Sequence, residues 1–64
     1  MTHRPPALVR AELVGVERLR ATLRLLFETT PDERVGRAAW AEHVLADIRC
    51  AHLEAELRRA EQAA

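Results

Sequence analysis

Serine, tyrosine and lysine are missing from this chain, and cysteine, glycine and aromatic residues are scarce. Without serine there is no Ser-His-Asp triad and no nucleophile elbow, so the usual hydrolase arrangements are absent. One Phe and one Trp provide no aromatic platform on which bases would stack. Cys50 is the single cysteine, which excludes an intrachain disulfide and suits a reducing compartment. Gly15 and Gly36 are too few to build a phosphate-cradling loop. Charges interrupt every apolar run before it reaches the length of a signal peptide or a membrane span, so the expected setting is the cytoplasm. The ten basic residues are all arginine and are matched by ten acidic ones, for a formal charge of zero. That balance argues against a polyanion binder working by bulk charge.

What is present is mostly Ala, Leu, Arg and Glu, all good helix formers, and the expected fold is all-α. Residues 1–5 have no periodicity and read as a flexible tail. A helical hairpin is expected over residues 6–62: helix 1 at about 6–29, a turn at about 29–31, and helix 2 at about 31–62. Pro6 suits the first helical position of helix 1. The joint, residues 29–37, reads TTPDERVGR. Thr30 as N-cap, Pro31 at the first helical position and Glu33 three residues after the cap form a capping box. Pro31 also disfavours helical geometry at Thr30, so helix 1 should stop there. Two antiparallel arms follow.

In helix 1, Val9, Val16, Leu19, Leu23 and Leu26 recur at helical spacing, with Phe27 on their flank and Glu12 in the one polar place. Helix 2 has two stripes. Ala41, Val44, Ile48, Ala51 and Ala55 form the first, bordered by Trp40 and Leu45. Ala39, Ala46, Cys50, Leu53, Leu57 and Ala60 form the second, nearly opposite, with Gly36 and His43 in its register. A helix packed on one partner needs only one stripe. A hairpin of 64 residues also has trouble burying enough surface alone. The expected closure is a homodimer that makes a four-helix bundle from two hairpins, or docking on a larger protein. The hairpin core or dimer interface is expected from Val9, Val16, Leu19, Leu23, Leu26, Phe27, Trp40, Val44, Ile48, Ala51, Leu53 and Leu57.

Three constellations carry possible chemistry. His43, Asp47, Cys50 and Glu54 line one side of helix 2 at metal-ligand spacing, although a polar seam beside a core cysteine is the plainer reading. In an antiparallel hairpin Glu12 lies level with Arg49 to Leu53, so it could meet Arg49, His52 or Cys50: with Arg49 as an ion pair that fixes register, or with His52 as an acid–base or metal pair. Arg10, Arg20 and Arg24 share a face of helix 1 that could touch phosphates, with Glu17 and Glu28 on the same face. No cofactor is implied.

The two-arm plan, the joint near position 30 with Asp32 and Glu33, and the heptad-like stripes resemble the Rop family of plasmid copy-number regulators. That resemblance implies a hairpin that dimerises into a four-helix bundle and binds paired RNA loops. The family's RNA face is lysine-rich and centred on an aromatic, whereas here the middle of helix 1 offers Val14, Gly15 and Val16. The resemblance is architectural. The expected function is a small non-enzymatic interaction module, an adaptor, regulator or accessory subunit. A nucleic-acid-binding regulator using the arginine face and a metal-binding bundle enzyme or sensor are the alternatives.

Overall fold

A computed structural model describes residues 3–63 as two α-helices, α1 (Pro6–Thr29) and α2 (Glu33–Ala63), folded back on each other as a hairpin 47 × 16 × 12 Å. Pro5 precedes the first turn of α1 and Pro6 opens it, so two positions that would carry orphan amides carry none. The Pro5 carbonyl accepts from the amides of Leu8 and Val9. No helix among the described residues is long and apolar enough to cross a membrane.

The joint differs from the expected capping box. α2 begins at Glu33, and Asp32 is its cap: Asp32 Oδ1 accepts the amides of Arg34 (2.9 Å) and Val35 (3.2 Å). The Asp32 carbonyl takes the Gly36 amide as the first turn closes. Thr30 instead ends α1. Its amide donates to the Leu26 carbonyl, and its backbone is extended at φ −73°, ψ 133°, as a residue before proline should be. Its hydroxyl accepts the Asp32 amide at 3.2 Å and so shapes the turn rather than the helix start. A carboxylate answers the positive end of the helix dipole better than a hydroxyl does. With Asp32 available two residues on, the cap moves to it.

The arms meet along one heptad seam on each helix. The core cluster is Val9, Leu13 and Val16 from α1 with Ala46, Cys50 and Leu53 from α2, and Leu23 and Leu57 pack against it. Ala39, Ala60 and Gly36 extend the buried line along α2. The seam facing α1 is therefore the second stripe of α2, which runs in steps of four and three. On α1 the matching line is Val9, Leu13, Val16, Arg20 and Leu23. Leu13, which the expected stripe omitted, is only 9% exposed, whereas Leu19 is 50% exposed and Leu26 is likewise outside the core. Both lines contain Val9, Val16 and Leu23 and differ in the positions between. The one chosen by packing accepts Arg20 in a core register because its guanidinium leaves sideways to Asp47.

Phe27, Trp40, Val44, Ile48 and Ala51, expected in the hairpin core or a dimer interface, are all exposed in the single chain. Phe27 and Trp40 do meet across the joint end, with ring centroids 4.9 Å apart.

Two outcomes test this packing. Leu13→Ala should cost about 2–3 kcal/mol in urea unfolding, and Leu19→Ala less than about 1 kcal/mol. A Cβ at Gly15 would meet nothing within 4 Å, so Gly15→Ala should stabilise the helix by about 1 kcal/mol, read as a higher urea midpoint with an unchanged slope.

Candidate interaction surface

The open end of the hairpin carries the densest polar cluster. Arg4 grips Glu56 with two parallel bonds, Nε to Oε2 and Nη2 to Oε1, each 2.7 Å. Its third nitrogen, Nη1, donates to Glu12 Oε2, also at 2.7 Å. The other Glu12 oxygen accepts from Arg49 Nη2. One guanidinium thus ties α1 to α2 at the end opposite the joint, in the bidentate geometry that suits arginine. Arg4 lies in the stretch expected to be loose, and within the described part of that stretch it is held by both helices. Residues 1 and 2 of the expected tail lie outside the described residues.

Glu12 does meet Arg49, as an ion pair, but the group is half-buried rather than sealed, and His52 is exposed and stands outside it. The two arginines, Arg4 ahead of Arg49, hold the Glu12 carboxyl below its ordinary 4.5, and Arg4 does the same for Glu56. Arg4 itself is pushed up by the same bonds. Sequence spacing gave a weak sign of the missing partner. Glu12 has Leu8 and Val16 four residues either side, so no arginine can reach it along its own helix.

The strip His43, Asp47, Cys50 and Glu54 comes apart in three dimensions. Asp47 accepts from Arg20 at 2.8 Å. Cys50 is 1% exposed in the core, where burial pushes its thiol up against a smaller opposing pull from Arg20. Glu54 is exposed. His43 stacks on Trp40, with centroids 5.1 Å apart and the rings 14° from parallel, and its Nδ1 is buried without a hydrogen-bond partner. Among the described residues no three His, Cys, Asp or Glu side chains stand close enough together to hold a metal ion.

The arginine face is similarly committed. Arg10 bonds Glu61 at 3.1 Å, Arg20 bonds Asp47, and Arg24 bonds Glu28 at 3.4 Å. Each positive charge expected to face phosphate already has a carboxylate beside it, and the field outside is small. An open groove runs along this side between Arg20, Arg24, His43 and Asp47, with Glu17 also on its wall. Its charges nearly cancel.

The remaining feature is apolar. The outer side of α2 presents Val44, Leu45 and Ile48, which are 40%, 60% and 48% exposed, with Ala41 before them and Ala51 after. This is the first stripe of the sequence, turned away from α1. Glu42, Asp47 and Arg49 line its margins. Contiguous apolar surface on a small helical protein is the usual mark of a protein interface. The chain matches no family model, and comparison with curated proteins and with solved structures gave no match.

The cluster around Arg4 sets the acid limb of stability. Because Glu12 and Glu56 titrate lower in the folded chain than their ordinary 4.5, the stability they contribute is full above that value. It is lost as pH falls below 4.5 through the depressed values. The thermal midpoint should therefore hold down to about pH 5 and drop as the pH falls further below about 4.5. Arg4→Ala should flatten that drop, as read by circular-dichroism melts across the series.

Proposed function

We propose that this protein is a non-enzymatic interaction module: a helical hairpin that self-associates into a four-helix assembly and serves as an adaptor, regulator or accessory subunit. The observation that carries this reading is the exposed outer stripe of α2, with Val44, Leu45 and Ile48 open to solvent on a helix whose other stripe is already packed. A single chain of this size buries a thin core, essentially one seam of small and medium side chains, and association is the ordinary remedy. The residues with catalytic or metal-binding potential support the same reading, since Cys50 is a core thiol and Asp47 is held by Arg20.

Light scattering coupled to gel filtration at tens of micromolar tests this. Each chain weighs 7.2 kDa, and the expected mass is twice that. Ile48→Glu should return the protein to one chain and lower its melting temperature. A wild-type protein that is folded and monomeric at that concentration would overturn the proposal.

A further inference from the structure

α2 carries a second heptad seam. Ala41, Val44, Ile48, Ala51 and Ala55 alternate steps of three and four, on the side of the helix away from α1. An unbroken alternation of this kind is what a coiled-coil partner reads, with Ala41, Ile48 and Ala55 at the a positions and Val44 and Ala51 at d. We infer that this seam is covered by the same seam of a second copy, α2 against α2, with the two helices parallel. The inference rests on the self-association proposed above and specifies its face and direction.

The residues beside the seam decide the direction. The g positions are Glu33, Trp40, Asp47, Glu54 and Glu61, four of five acidic. The e positions are Ala38, Leu45, His52 and Arg59, with no acid among them. In a parallel pair each g side chain faces the e side chain five places on in the other copy. Trp40 then covers Leu45, Asp47 meets His52, and Glu54 meets Arg59, each twice by symmetry. In an antiparallel pair g faces g. With a packed on d and the two-fold near Ala46, Asp47 confronts its own copy and Glu33 confronts Glu61. Sliding by a heptad sets Asp47 against Glu54 instead. Like charges opposite one another weaken every such register.

Asp47 and Glu61 already have Arg20 and Arg10 beside them, so the pair with most weight is Glu54 and Arg59. Among the described residues neither makes an ion pair within its own chain. Trp40 and Leu45, 44% and 60% exposed, are the other pair that parallel association brings under cover. Ala41, Ala51 and Ala55 keep the seam narrow, so the two α2 axes can approach closely and the two α1 helices lie on the outside.

Cysteine cross-linking reads the direction. In a Cys50→Ala background, Ala41→Cys and Ala55→Cys are made singly and oxidised under mild conditions. Parallel packing sets each new cysteine beside its own copy, within the roughly 4.4–6.8 Å between Cα atoms that a disulfide spans. Both variants should give covalent dimers on a non-reducing gel. If neither does alone, but Ala41→Cys mixed with Ala51→Cys cross-links, as a packed on d requires, the helices are antiparallel and the inference fails. If the protein is dimeric yet only Leu19→Cys or Leu26→Cys cross-links, self-association stands and this face is wrong. A monomer in light scattering removes the underlying proposal as well. Should Cys50→Ala unfold the chain, a charge exchange replaces it: Glu54→Arg should weaken the dimer roughly tenfold, and adding Arg59→Glu should restore it. No restoration by the double exchange would refute the parallel pairing.

Discussion

Only Thr30, Pro31 and Asp32 separate the two helices, and this short joint sets the register of everything else. Proline removes one amide and holds Thr30 extended, Thr30 closes α1, and Asp32 opens α2, so the chain reverses with almost no slack. A helix rises about 1.5 Å per residue, so once the first layer beyond the joint is placed each later layer is placed with it. Thr30 touches the Gly36 site, Phe27 meets Trp40, Arg20 meets Asp47 and Glu12 meets Arg49, in order outward from the turn. At the far end Arg4 supplies the second tie. The hairpin is closed covalently at one end and by a bidentate ion pair at the other.

Between those ends the core is narrow. Its α2 side is made of Ala39, Ala46, Cys50, Leu53 and Ala60, and its α1 side of Val9, Leu13 and Val16. Small residues on α2 let the helix axes come close, at the cost of little apolar area per layer. The long side chains that a thicker core would use, Val44, Leu45 and Ile48, sit on the other side of the same helix. This division is the physical reason to look for a partner. α2 has one seam packed inside the chain and the other exposed to solvent. The charges follow the same plan: acids flank the outer seam on one side, and Leu45, His52 and Arg59 flank it on the other.

The seams also explain why the candidate chemical sites dissolve. Cys50 belongs to the inner seam, so burial takes it out of reach of the residues beside it in sequence spacing. His43 turns onto Trp40, and Asp47 turns to Arg20. On α1 the three arginines that share a face each find an acid, two of them on the opposite helix. Residues spaced like ligands or phosphate contacts in one dimension lie, in the folded chain, along the margins of a helix pair.

The sequence by itself determined the two helices, the reversal near Thr30, the two stripes of α2 and the level at which Glu12 meets Arg49. All of these follow from short-range signals: a proline, a helical period and a known rise per residue. The tertiary structure alone decided which stripe faces inward, because both have the same period and similar size. It also decided that Leu13 rather than Leu19 is buried, since Val9, Val16 and Leu23 fit either line and only the partner helix chooses the side. Asp32 displaced Thr30 as cap because a carboxylate two residues later satisfies two amides at the positive end of the helix. Arg4 was invisible to any periodic reading. Its partners are 8 and 52 residues away, on two helices, and only the closed hairpin brings them to one guanidinium.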